Sequence, residues 1–234
     1  MFEREHHRRI ALVLQALDPA VLLAHHCLFG GGTAMALRYG EYRESVDIDF
    51  VVADAAGYRS LRQLLGGPGG LAPLLRPALS LELAREVRTD QYGIRTVVRT
   101  EGVGIKFEIV REARIALDAP GPQDVVCGVA TLAPVDLAAC KLLANADRWG
   151  DDSVFSRDLI DLAMMAPSST LLGQAFAKAQ EAYGTAVRDS LAKAVEALRR
   201  RQQRLDECMR ALHMQGVSRA ALWQRIRDLE RRAR

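Results

Sequence analysis

Apolar residues recur at three- and four-residue spacing through residues 3–17, and the pattern stops at Asp18-Pro19. This predicts an amphipathic helix, then a short second helix that Asp18 caps and Pro19 opens. "HHCLF", residues 25–29, is apolar enough for a short strand, and "TAMALRYG", residues 33–40, reads as a helix ended by Gly40. "VDIDFVV", residues 46–52, alternates as a strand should, with Val46, Ile48 and Phe50 expected in the core and Asp47 and Asp49 on the opposite face. A helix is expected near 57–65, followed by a loop at the breaker cluster "GGPGG", residues 66–70. Four further segments read as strands: "LSLELAREV", "YGIRTVVRT", "GIKFEIV" and "DVVCGVATL". Their short connections allow several to pair as antiparallel neighbours.

At Pro134 the period changes. Helices are expected near 134–147, 156–166, 170–182, 185–212 (with room for a break) and 218–233. The fold class is therefore α+β. A mixed, antiparallel-rich sheet with flanking helices occupies residues 1–132, and an all-helical bundle occupies 133–234.

Length and composition narrow this little. The 234 residues suit one large domain or two small ones. No apolar run approaches the ~20 residues that a membrane-spanning helix needs. The N-terminal stretch carries acids and reads as an amphipathic helix rather than a signal peptide, so a cytoplasmic, membrane-free protein is expected. Cys27, Cys127, Cys140 and Cys208 are scattered without C-x-x-C spacing, which argues against a zinc ribbon and for reduced thiols. Net charge is only +3, but residues 199–234 hold eleven arginines against four acids. That asymmetry suggests a polyanion partner on the C-terminal helices, and equally describes a solvated helical surface.

Asp47 and Asp49 carry the first chemical signal. Two carboxylates on one strand face, roughly 7 Å apart between Cα atoms, repel one another. A hard divalent cation, Mg²⁺ or Mn²⁺, relieves that repulsion with oxygen ligands alone. A D-x-D on an exposed sheet face can also be idle. Gly30, Gly31 and Gly32 lie beside it in sequence, at an expected strand-to-helix turn whose backbone N–H groups suit an anion, and Thr33 adds a hydroxyl. Neither a Walker A loop nor G-x-G-x-x-G is present. A phosphate site beside a paired-carboxylate metal site points to a nucleoside triphosphate and phosphoryl transfer. In "GIKFEIV", Lys106 and Glu108 share one strand face. Glu108 could complete the metal set of Asp47 and Asp49 or deprotonate an attacking hydroxyl, and a plain surface ion pair would look the same. Lys141 interrupts the apolar run "LAACKLLA" and could simply snorkel. Arg157 and Asp161 are spaced i, i+4 and could pair on a helix. All five histidines read as structural or surface residues.

The run G-G-T-A…R-x-S-x-D-I-D-F resembles the DNA polymerase β-type nucleotidyltransferase superfamily. Within it, the chain is most similar to the AbiEii/AbiGii toxin family of bacterial toxin–antitoxin and abortive-infection systems. Gly32 and Thr33 match the family's turn; Arg43, Ser45, Asp47 and Asp49 match its D-x-D run; Lys106 and Glu108 match its K-x-[DE] strand. Lys141, and Arg157 with Asp158 and Asp161, match the two later helix motifs. Glu108 stands where Asp is usual, and Arg157 where Lys is common. The resemblance implies catalytic roles for Asp47, Asp49, Glu108, Lys141 and Asp158. It implies nucleotide contacts from Gly31, Gly32, Thr33, Arg43, Ser45, Lys106, Lys141 and Arg157. It further implies a toxin that moves a nucleoside monophosphate from an NTP to an acceptor hydroxyl, such as the 3′ end of tRNA or another RNA, with a cognate antitoxin. The alternatives are a protein or small-molecule acceptor such as an aminoglycoside, or a nucleotide-binding regulatory partner without catalysis.

Overall fold

The computed structural model describes residues 2–233 and forms two compact units. One comprises the residues up to Leu37 together with Ser45–Ala133, the other Arg38–Glu44 together with those from Pro134 onward. A seven-residue segment of the N-terminal half therefore belongs to the helical unit.

The first unit opens with α1 (Glu5–Ala16) and α2 (Pro19–Ala24). Asp18 caps α2 through its carboxylate, which accepts from the Ala20 and Val21 amides. Then come β1 (Leu28–Phe29), α3 (Gly31–Arg38), β2 (Ile48–Val52) and α4 (Ala55–Leu65), the last capped by Asp54. Strands β3 (Glu82–Thr89), β4 (Gly93–Thr100) and β5 (Val103–Arg111) complete one five-stranded sheet in the order β1-β2-β5-β4-β3. Only β2 with β5 is parallel; the other three pairings are antiparallel. One sheet face is apolar. Ile48, Phe50, Ile94, Val98, Ile105, Phe107 and Ile109 are all at 0% exposure. Phe50 sits between Phe29 and Phe107 with ring centroids 5.5 Å from each. The opposite face carries the charged residues of β4 and β5.

Two local expectations are corrected, and a third is made definite. Val46 is 49% exposed, because β2 begins only at Ile48 and the chain before it is irregular. "DVVCGVATL" is not one strand. It folds back on itself as β6 (Val125–Val126) and β7 (Val129–Ala130). Cys127 and Gly128 take φ of 51° and 85° between them, a turn whose handedness matches the twist of a hairpin. The long helical stretch at 185–212 breaks into α8 (Ala186–Arg200) and α9 (Arg204–Ala211).

The second unit holds those two helices with α5 (Pro134–Arg148), α6 (Arg157–Met165), α7 (Ser169–Tyr183) and α10 (Arg219–Ala233). Helix α5 packs on α6, α7 and α8, and α10 on the same three. Its core is mainly aliphatic, with Leu142, Leu159, Leu172, Val195 and Ile226 at 0% exposure and Phe176 also buried. No helix among the described residues is long and apolar enough to cross a membrane.

The Phe29–Phe50–Phe107 stack joins three strands, so Phe50→Ala should cost about 3–5 kcal/mol through lost contacts and a cavity. Urea denaturation measures this, and a loss under 1 kcal/mol would mean the stack is dispensable.

Candidate active site

The glycine turn and the D-x-D strand meet directly. The Gly30 amide donates to the Asp49 carbonyl at 2.8 Å. Gly31 takes φ +66°, and a Cβ built there would lie 2.8 Å from the Asp49 Cβ and closer still to its carboxylate. Two independent reasons thus require glycine at 31: a left-handed backbone and no space for a side chain. Thr33 fastens the turn from its other end. Its hydroxyl donates to the Asp47 carbonyl and lies 2.8 Å from the Ser45 hydroxyl. Since a carbonyl can only accept, Thr33 gives its proton to Asp47 and Ser45 donates to Thr33. The residues 31–33 form the first turn of α3, where amides have no intrahelical acceptor and the helix end is positive. Such a turn, set against Asp49, is able to receive an anion such as a phosphate group.

Two histidines brace the same segment. The ring Nε2 of His7, fully buried on α1, lies 3.1 Å from the Ser45 amide and accepts from it. His6 Nε2 lies 3.0 Å from the Val46 carbonyl and donates to it. No motif in the sequence connects these residues with the D-x-D run, because they arrive from another element.

On the open sheet face, register sets the charged side chains in two rows. Asp49 is paired with Glu108, Glu108 with Arg95, and Arg95 with Arg88. Lys106 is paired with Val97, and Val97 with Arg85. The Glu108 carboxylate lies 2.7 Å from Lys106 Nζ and 3.0 Å from Arg95 Nε. The hydrogen bond to Glu108 is the main reason the Lys106 ammonium is held above its ordinary pKa, with Asp47 and Asp49 adding to it. Both aspartates therefore lie within electrostatic reach of one lysine. The expected three-acid metal set is not assembled, and among the described residues no group of three or more His, Cys, Asp or Glu stands ready for a metal. Glu108 adjoins Asp49 in register but is engaged by cations.

Arg43, Lys141 and Asp158 lie inside the helical unit. Asp161, at 0% exposure, accepts from Tyr42 Oη (2.6 Å), Arg43 Nε (2.7 Å) and Arg43 Nη2 (2.9 Å). Lys141 Nζ lies 2.7 Å from Asp161 and 3.0 Å from Asp158, and Asp158 also takes Arg148 Nε at 2.7 Å. Burial alone would raise both carboxyls, but Arg43 and Lys141 hold Asp161 well below the usual range, and Lys141 and Arg148 hold Asp158 below it. Burial likewise opposes the Lys141 charge, and Asp161 and Asp158 outweigh it and raise its pKa. The expected Arg157–Asp161 helix pair does not form, because Asp161 is saturated from elsewhere. Arg157 opens α6 half-buried.

Just over half of the described C-terminal arginines pair with acids. Arg199 pairs with Glu196 and Glu230, Arg200 with Glu196, Arg201 with Asp152, Arg219 with Asp206 and Arg231 with Asp228. Two of those acids, Asp152 and Glu196, lie outside the segment whose charge was counted. None of the four cysteines is joined in a disulfide.

A mixed sheet with a glycine turn laid against a D-x-D strand is the arrangement of a nucleotidyltransferase, and solved structures share the fold. A protein of H. pylori assigned provisionally as a nucleotidyltransferase superposes with a TM-score of 0.52 at 18% identity, over 100% of this chain and 94% of its own. JHP933 from Helicobacter pylori superposes with a TM-score of 0.50 at 17% identity, over 100% of this chain and 92% of its own. None of the curated proteins matches the chain. The family model for the nucleotidyl transferase AbiEii toxin of type IV toxin–antitoxin systems matches residues 12–230. The chain belongs to that family and is a nucleotidyltransferase; the family implies a nucleotide substrate and an antitoxin counterpart.

Two outcomes test this geometry. Gly31→Ala should cost about 1–2 kcal/mol from the left-handed backbone alone and displace the Asp49 carboxylate. Thermal denaturation with and without nucleotide reads both effects, and an unaltered nucleotide response would separate the turn from the site. Asp161→Asn leaves Arg43 buried without its anion and Lys141 with Asp158 alone, and should destabilise by about 3–5 kcal/mol. Because the folded-state pKa of Asp161 and Asp158 is depressed, their contribution is complete above ~pH 4 and is lost as pH falls below it. The variant should accordingly show a shallower acid-side fall in Tm than the parent; parallel Tm–pH curves would contradict this account.

Proposed function

We propose that this protein is a divalent-cation-dependent toxin that transfers a nucleoside monophosphate from an NTP to the hydroxyl at an RNA 3′ end, tRNA being one such acceptor. The observation that carries the reading is the contact of Gly31 with Asp49, together with the Thr33 hydrogen bond to Asp47. A phosphate cradle and two carboxylates share one small space.

The donors fit a hard cation. Asp47 and Asp49 offer oxygen only, and Mg²⁺ characteristically uses one or two carboxylates, completing its shell with water and substrate phosphate. When bound, such an ion (Mg²⁺, or Mn²⁺ with the same ligands) neutralises phosphate charge beside Asp47 and Asp49. The amides of Gly31, Gly32 and Thr33 hold the triphosphate, and Ser45 keeps Thr33 oriented. Lys106 and Arg95 face Glu108 in the resting arrangement. An arriving triphosphate competes for both cations, since phosphate is the more highly charged anion. Glu108 is thereby released to accept the proton of the acceptor hydroxyl. A bond then forms from that oxygen to the α-phosphorus, the bridging oxygen to the β-phosphorus departs, and pyrophosphate leaves. The paired Arg43, Lys141 and Asp158, whose charges are balanced within the helical unit, support the reaction by fixing their helices and the 38–44 segment.

Incubation with Mg²⁺, labelled NTPs and total tRNA tests the reading. Label should appear on RNA. Asp47→Asn should abolish it, and Glu108→Gln should slow it by about 10²–10⁴-fold, as loss of a general base does. Saturating NTP at a hundred times Kd should stabilise the parent by about 2.7 kcal/mol, with no such gain in Asp47→Asn. Expression of the parent should arrest growth, and Asp47→Asn should relieve the arrest. Undiminished labelling by Asp47→Asn would refute the assignment.

A further inference from the structure

A cavity of about 780 Å³ opens on the charged face of the sheet, and Asp47, Arg85, Glu86, Arg88, Arg95 and Lys106 are among the residues that line it. It begins at Asp47 and extends across β5 and β4 to β3. Three features distinguish its far side. First, Arg85 and Arg88 are exposed and neither has a carboxylate partner among the described residues, unlike Arg95, which pairs with Glu108 and Asp90. Second, β3 contains two irregularities, one between Leu83 and Arg85 and one between Arg85 and Arg88. Residues three apart on a regular strand face opposite ways. The second irregularity cancels that alternation and sets Arg88 opposite Arg95 while Arg85 stands opposite Val97, so both arginines join the face of Glu108 and Lys106. Third, charge is graded along a row, with acids on β2 and β5 (Asp49, Glu108) and arginines on β4 and β3 (Arg95, Arg88).

We infer that Arg85 and Arg88 bind the phosphodiester backbone of a single-stranded RNA acceptor whose 3′ end reaches Asp47 and Asp49. This rests on the reading that the carboxylates serve nucleotide transfer. The span fits a strand. Three inter-strand spacings separate β2 from β3, about 14 Å, against a rise of ~3.4 Å per phosphate in a stacked strand. That length leaves room beyond the triphosphate, which the proposed function assigns to the Gly31–Thr33 turn on the β1 side of Asp49. Guanidinium forks suit phosphate oxygens bidentately. Glu86 lies in the same cavity and opposes anion binding, so the two arginines are the groups on which affinity depends. The arginine-rich C-terminal helices are the competing surface, and just over half of their described arginines pair with acids.

The test measures binding of a short, unstructured, fluorescent RNA oligonucleotide to the full chain at several salt concentrations, beside Mg²⁺-dependent stabilisation by NTP. Arg85→Ala/Arg88→Ala should weaken RNA binding at least tenfold and flatten the slope of log affinity against log salt by about 1.4, two contacts at ~0.7 each. NTP stabilisation should be unchanged. Arg85→Lys/Arg88→Lys should retain most of the affinity, and Arg225→Ala/Arg227→Ala on α10 should retain it all. Equal RNA affinity in the Arg85→Ala/Arg88→Ala variant, or a loss confined to the α10 variant, overturns the inference. Loss of NTP stabilisation along with RNA binding also overturns it, because the cavity would then hold the nucleotide. Absence of NTP stabilisation in the parent refutes the transferase reading itself, whereas an NTP response without RNA binding refutes only this inference.

Discussion

The arrangement depends on one close approach. Gly31 comes so near to Asp49 that no other residue fits, and the adjoining Gly30 amide is hydrogen-bonded to the backbone of that same aspartate. A strand-to-helix turn is thereby pinned to a strand that displays carboxylates. Everything on the open face then follows from register. The parallel pairing of β2 with β5 puts Asp49 beside Glu108, and the antiparallel pairing of β5 with β4 puts Glu108 beside Arg95. Burial of the opposite face, where Phe29, Phe50 and Phe107 stack, keeps the register from slipping, since a shift of one residue would turn the phenylalanines to water.

Much of this was legible in the sequence, for physical reasons that can be named. Alternation in "VDIDFVV" assigned the face of Asp49 correctly because burial on one side leaves a period of two. The α+β character and the change of period at Pro134 were equally plain. The signal failed at ends and turns. Val46 continues the alternation by composition, yet hydrogen bonding of the strand starts after it. Nothing in "DVVCGVATL" marks Cys127 for a positive φ, because cysteine seldom adopts one.

Long-range electrostatics was the other blind spot. The sequence offered Arg157 as a partner for Asp161 because they are helix neighbours. The structure pairs Asp161 with Arg43, more than a hundred positions away in the chain. Counting charge within the C-terminal segment likewise omits Asp152 and Glu196, which pair with Arg201, Arg199 and Arg200 from outside it. Conversely, Arg85 and Arg88 looked unremarkable, because their common orientation comes from irregularities in β3 that no residue type announces. His7 was read as structural, but its service to the D-x-D segment through the Ser45 amide could not be foreseen.

The segment Arg38–Glu44 has a consequence for how such a protein can be inherited. It is encoded amid the sheet residues yet contributes Tyr42 and Arg43 to the interior of the helices. The two halves are therefore not interchangeable cassettes. Recombination at the obvious seam near residue 133 would give the incoming helices a foreign arginine loop, and natural chimaeras should succeed only when both parents carry the same Tyr–Arg/Asp lock.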